Sequence, residues 1–199
     1  MRSLLDVLYN FHWIVPGEAA RSAQPYLGRV EPFLLRHDIK AVINLRGRHQ
    51  SWGWWLHEER ICRRNAIAHF DPALNSRRLP TRRMLAALLD AFDASPRPLL
   101  VKCSGGQDRT SYAAALYVVH SRGWSALEEA GRQFAGFPYL HFPRRQQHWL
   151  RRFLEFARED AGSLPLYRWA RERYDPSSLA TWLVDRGEGD SFKAVFGQG

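Results

Sequence analysis

The feature that most limits what this chain can fold into lies at its middle. Pro98 to Lys102 (PLLVK) is a short apolar run, Cys103 to Arg109 (CSGGQDR) is a loop with two adjacent glycines, and residues 109–121 are Ala-rich and closed by Gly123. The apolar run, bounded by turn residues, reads as a core strand, and the Ala-rich stretch reads as a helix. A strand that passes through a Gly-containing loop directly into a helix is a βα unit, and such units build sheets with helices packed on their faces.

The flanking sequence agrees with that class. Residues 12–15 and 18–22 read as the two strands of a hairpin around the turn pair Pro16-Gly17. Residues 29–37 look helical, Lys40 to Leu45 (KAVINL) reads as a buried strand, Gly53 to Asn65 as a Trp-rich helix, and Ile67 to Phe70 as a short strand. The clearest amphipathic helix covers residues 81–93, where Met84, Leu85, Leu88, Leu89 and Phe92 share a face and Pro80 stands at the start. Helices are expected at 124–134, 144–159, 164–173 and 177–185. Together these predict one α/β domain over residues 1–186 with a helical C-terminal half, followed by a flexible tail over 187–199.

The central loop also carries chemistry. Cys-x5-Arg alone is weak, because in a chain with 26 Arg and two Cys it arises by chance roughly one time in four. Its context strengthens it. Gly105 and Gly106 let the backbone curl so that N–H groups converge on an anion, and the helix starting near Arg109 points its positive end to the same place. The converging dipoles and Arg109 favour the thiolate of Cys103, the form that attacks phosphorus. Arg109 is suited to gripping two phosphate oxygens, and Thr110 to donating its hydroxyl to the sulfur. Ser104, Gly105, Gly106, Gln107, Asp108 and Arg109 line the expected phosphate cradle. The competing reading is a buried structural Cys before an ordinary βα turn.

Val101 to Thr110 (VKCSGGQDRT) resembles the phosphate-binding loop of the protein tyrosine phosphatase superfamily, within it the small bacterial and plant or fungal dual-specificity-like phosphatases. Arg21-Ser22-Ala23-Gln24-Pro25 resembles their RSxQP segment, and Ile43-Asn44-Leu45-Arg46 their INLR strand end. The resemblance covers residues 12–120. It implies a central, mainly parallel, twisted sheet of about four to five strands flanked by helices. It also implies phosphomonoester hydrolysis through a phosphocysteine intermediate, with no cofactor and no metal. Lys102 departs from the pattern, since most members have His before the Cys; Lys is likewise cationic and is expected to help the thiolate.

Ester cleavage needs a proton donor for the leaving oxygen. Asp71, after a short strand, lies about where dual-specificity phosphatases place their acid loop, though Asp71-Pro72 is also an ordinary turn pair. Asp108 lies inside the loop, and family members with a CxxGxDRT loop can use that Asp; it is the slightly preferred candidate. Arg46 and Arg48 follow a strand end, where α/β proteins place ligand loops, and Arg46 is an accessory candidate for charge near the phosphate. Trp52, Trp54 and Trp55 are read first as packing. His57, His69, His120, His141 and His148 show no ligand spacing.

Composition sets the remaining bounds. The net charge of +9, from 29 basic and 20 acidic residues, favours acidic partners, and only Lys40, Lys102 and Lys193 among the basic residues are not Arg. No nucleic-acid motif accompanies that charge. The expected partner is a phosphorylated protein, with a phosphoinositide or other small phosphorylated molecule as the alternative and a non-catalytic phosphate-binding module as a third reading. The two Cys form no disulfide framework or zinc pattern, and no signal peptide or membrane-spanning run is evident, so a cytoplasmic location is expected.

Overall fold

The computed structural model describes residues 3–26 and 28–195. A short helix, α1 (Leu4–Leu8), opens the described chain; Ser3 and Asp6 cap it by exchanging side-chain and backbone hydrogen bonds. Strands β1 (His12–Val15) and β2 (Ala19–Ser22) form the expected hairpin. There follow α2 (Val30–Arg36), β3 (Ala41–Asn44), α3 (Gly53–Arg64), β4 (Ala68–Phe70), β5 (Arg78–Leu79), α4 (Arg82–Ala94), β6 (Leu99–Lys102) and α5 (Asp108–Arg122). The second half holds α6 (Leu127–Arg132), α7 (Trp149–Ala161), α8 (Leu166–Glu172), α9 (Pro176–Asp185) and the short strand β7 (Ala194–Val195).

The main sheet has the order β1-β2-β6-β3-β4, and every pairing except the β1–β2 hairpin is parallel. This is the mainly parallel α/β sheet anticipated from the sequence. β6 is the middle strand, paired to β2 and β3 in the same register, so Lys102 lies level with Ser22 and Asn44. All residues of β2, β3 and β6 are buried, as a parallel sheet covered on both faces requires. Alternate residues point to opposite layers. Leu99 and Val101 join Ala41 and Ile43 in the core under α4, α5 and the C-terminal helices, while Leu100 joins Val42 and Ala20 in the layer under α2 and α3.

The small residues of α5 explain why the strand–loop–helix unit sits at the centre. Residues Thr110 to Val119 are all buried, so the helix is enclosed on every side. Ala113, Ala114 and Ala115 let neighbouring helices approach closely. The helix ends at Gly123, whose φ of 78° is a left-handed conformation that glycine adopts at little cost.

Within the expected tail, Ala194–Val195 pair in parallel with β5, Lys193 N donates to the Arg77 carbonyl at 2.7 Å, and Ser191 is buried. Phe192 and Val195 pack on the main core, and Arg152 Nε donates to Glu188 Oε1 at 2.7 Å. Residues 196–199 of the expected tail lie outside the described residues. Among the described residues no helix is long and apolar enough to cross a membrane.

Candidate active site

The loop 103–107 stands at the end of the middle strand, where α/β sheets place their ligands. Gly106 is the residue that permits the curl. Its φ is 64°, and a Cβ there would sit 2.4 Å from Ala23 N and 2.6 Å from Ser22 C. Gly105 has ordinary room, with its nearest contact at 3.7 Å from Gln107, so only one of the two glycines is sterically required.

The RSxQP-like segment buttresses the loop from behind. Arg21 is fully buried; its guanidinium donates to the Gly106 carbonyl at 3.2 Å, to Ser111 Oγ at 2.7 Å, and to Gln133 O and Oε1 at 2.9 and 3.0 Å. Asn10 Nδ2 donates to the same Gly106 carbonyl at 3.1 Å and to Tyr139 O at 2.9 Å. Gln24 N donates to Ser104 O at 3.1 Å. With the Ser104 and Gly106 carbonyls turned to these donors, the N–H groups of Gly106 and Gln107 face the Cys103 sulfur.

Cys103 sits in that concavity and is 4% exposed. Burial alone would raise its thiol. Arg109, the Thr110 hydroxyl and the N–H groups of Gln107 and Gly106 outweigh burial, and the thiol is held below its ordinary value. The Thr110 hydroxyl is buried and makes no full hydrogen bond in this state, yet it lies close enough to the sulfur to contribute. Cys62, on the buried face of α3, is the contrast: burial and the nearby Glu58 push its thiol far up. Arg109 is braced across the site. Its Nη2 donates to Ser104 Oγ at 3.1 Å, and its Nη1 reaches the Leu45 and Leu74 carbonyls, each at 3.5 Å.

Lys102 lies beneath the loop, enclosed among polar partners. Its ammonium is 1% exposed and donates to Gln24 Oε1 at 2.6 Å and Asn44 Oδ1 at 3.2 Å, with Glu58 Oε1 at 2.7 Å. Its charge is thus matched by Glu58 in a network beneath the loop. Asp71 belongs to the same network: its Oδ1 accepts from Asn44 Nδ2 at 2.6 Å and Trp55 Nε1 at 2.9 Å, and its Oδ2 lies 3.5 Å from His69 Nδ1. Asp108 stands in the first turn of α5, next to Arg109. Its Oδ2 accepts from Gln147 Nε2 at 2.7 Å, and its Oδ1 lies 3.6 Å from His141 Nε2.

Arg46 lies on the rim, stacked over the Trp54 ring at 3.5 Å and donating to Tyr26 Oη at 3.1 Å. Trp52 is half exposed beside it, whereas Trp55 is buried, so the Trp-rich start of α3 is divided between rim and core. Sequence reading missed Asn10, Gln133, Tyr139, His141 and Gln147. They lie far from Cys103 in the chain, and only the fold brings them to the loop. Among the described residues no group of three or more His, Cys, Asp or Glu could hold a metal ion.

Several solved structures share this architecture. P. aeruginosa TpbA aligns with a TM-score of 0.52 at 17% identity, over 89% of this chain and 92% of its own. The core catalytic domain of the S. cerevisiae PP-IP phosphatase SIW14 aligns with a TM-score of 0.54 at 17% identity, over 90% of this chain and 93% of its own. Tk-PTP in its active form aligns with a TM-score of 0.52 at 19% identity, over 73% and 96%. At these identities the likeness is one of fold. No curated protein matches the sequence. A family model, by contrast, matches residues 8–153, which include the hairpin, the buttressing segment, the Cys103 loop and both Asp candidates. The chain belongs to the family described as Swiss Army Knife protein, DSP-PTPase phosphatase domain.

Proposed function

We propose that this phosphatase domain hydrolyses phosphomonoesters through a phosphocysteine intermediate, with Cys103 as nucleophile. The observation that carries the reading is a fully enclosed thiol held below its ordinary value, against burial, by Arg109, Thr110 and two loop N–H groups. A buried structural cysteine has no need of such surroundings, as Cys62 illustrates. In the first half-reaction Cys103 sulfur attacks phosphorus in line, the S–P bond forms and the P–O bond to the leaving group breaks. Arg109 and the loop N–H groups hold the phosphoryl oxygens as charge develops on them. In the second half water attacks phosphorus, the S–P bond breaks and the sulfur departs as thiolate, assisted by Thr110.

Asp108 is the proposed general acid. Asp71 is committed elsewhere: one oxygen already accepts two hydrogen bonds, and the other faces His69. Asp108 adjoins the phosphate grip and has one oxygen without a hydrogen-bond donor. It gives its proton to the leaving oxygen and then takes one from the attacking water.

The proposed substrates are phosphotyrosine and phosphoserine or phosphothreonine proteins. Arg46 on the rim, together with the similarity in fold to SIW14, a PP-IP phosphatase, favours a second reading, a phosphoinositide or other small phosphorylated molecule. A reducing compartment such as the cytoplasm suits a catalytic thiol.

Hydrolysis of an aryl phosphate tests the mechanism. Cys103→Ser should fall to the background rate, and wild type should keep full activity in a metal chelator; undiminished activity in the variant sinks the proposal. Asp108→Asn should lower kcat by at least about tenfold and change the pH–rate profile, with a smaller effect from Asp71→Asn.

A further inference from the structure

His141 sits in the stretch between α6 and α7, about 5% exposed, edge-on to Phe134 with ring centroids 5.3 Å apart. Its Nδ1 lies 3.3 Å from the Phe134 carbonyl, which only accepts, so the proton of the neutral ring belongs on Nδ1. Nε2 is then a bare lone pair. It is buried, has no hydrogen-bond partner, and faces Asp108 Oδ1 at 3.6 Å, longer than a formed hydrogen bond. A buried polar atom left unpaired costs about 1–3 kcal/mol, so its position calls for a reason.

A carboxylate oxygen and an imine nitrogen, both acceptors, become complementary when one proton lies between them. Gln147 already occupies the other Asp108 oxygen and is itself fixed by a 3.0 Å hydrogen bond to Ser76 Oγ. Oδ1 is therefore the oxygen left to carry a mobile proton.

We propose that His141 is a positioning residue for Asp108, its Nε2 holding the acid's proton on Oδ1 until the leaving oxygen takes it. This rests on the reading of Asp108 as the general acid. The ring has the protonation state the role needs. Burial lowers its proton affinity most, Arg21 and Arg151 act in the same direction, and Asp108 and the Phe134 carbonyl oppose; the net effect is downward, which keeps the ring neutral near pH 7. The pair holds one proton before attack. It has none once the P–O bond has broken and the leaving oxygen is protonated. It regains one from the water that attacks phosphorus in the second half-reaction.

The test is a double-mutant cycle on phenyl phosphate, a poor leaving group, and p-nitrophenyl phosphate, a good one. His141→Phe should lower kcat on phenyl phosphate by about tenfold, with little loss on p-nitrophenyl phosphate, and should move the alkaline limb of the profile to lower pH. In an Asp108→Asn background the same change should alter kcat by less than about twofold. Losses that multiply in that background mark a merely structural role and overturn the proposal. If Asp108→Asn is impaired on phenyl phosphate and His141→Phe is not, this proposal alone falls. If Asp108→Asn leaves leaving-group dependence unchanged, the acid assignment falls and takes this with it. The ring 15N shifts of His141 in wild type supply a measurement that needs no variant: the Nδ1–H tautomer is expected, and the Nε2–H tautomer overturns the proposal.

Discussion

At the scale of single residues, the two cysteines make the sharpest comparison. Both are buried and both are free thiols, yet their surroundings shift them in opposite directions. Limiting iodoacetamide at neutral pH should therefore label Cys103 and spare Cys62, and a phosphate analogue should protect Cys103; peptide mapping by mass spectrometry reads both. Gly106 makes a second prediction. A methyl group there meets backbone atoms of Ser22 and Ala23 that cannot swing aside, so Gly106→Ala should reshape the loop and abolish activity, whereas Gly105→Ala should be tolerated. The sequence marked the identities of Cys103, Arg109 and Thr110 because their spacing is local. It did not reveal which glycine is indispensable, since that depends on a chain segment some eighty positions upstream pressing against the loop. The partners of Lys102 were equally out of reach, because only the pairing of β6 with β3 brings Asn44 beside it and only the packing of α3 brings Glu58.

At the scale of elements, that buried ion pair joins helix to sheet. Burial would raise the Glu58 carboxyl, but Lys102 and then His69 hold it down to about 2 from an ordinary 4.5. A carboxyl depressed in the folded state stabilises the protein above its unfolded value and loses that contribution as pH falls through the folded one. The melting temperature should accordingly drop as pH is lowered from about 4.5 toward 2, and Glu58→Gln should flatten that dependence. The same substitution should cost about 3–5 kcal/mol near neutral pH, because it strands the Lys102 ammonium, measurable by denaturant titration. Most elements were legible from apolar period and punctuation: the hairpin, β3, α3, α4, β6 and α5 lie within a residue or two of their expected positions. The exceptions are instructive. α1 was not anticipated because one capped turn leaves no period to read, and β5 and β7 are two residues each, strands only by virtue of each other.

At the scale of the whole molecule, the excess of basic charge is spread over a surface where much of the arginine is already paired. Arg122, Arg132, Arg152, Arg168 and Arg186 meet carboxylates, whereas Arg46 is held by aromatic rings and a hydroxyl. Attraction of an anionic substrate should be a long-range effect that salt weakens: KM for a phosphorylated substrate should rise with ionic strength while kcat stays constant. Charge balance was plain from composition, but its division into paired and rim arginines needed the fold. The buttressing of the loop has a bearing on biosynthesis. Its supports come from Asn10, Arg21 and Gln24 on one side of the nucleophile in the chain, and from Gln133, Tyr139, His141 and Gln147 on the other. During vectorial synthesis, at about 5–20 residues per second, the thiol leaves the ribosome several seconds before the segment that orders its neighbours. For that interval a nascent chain carries the nucleophile without its finished cradle, open to oxidation and to chaperones.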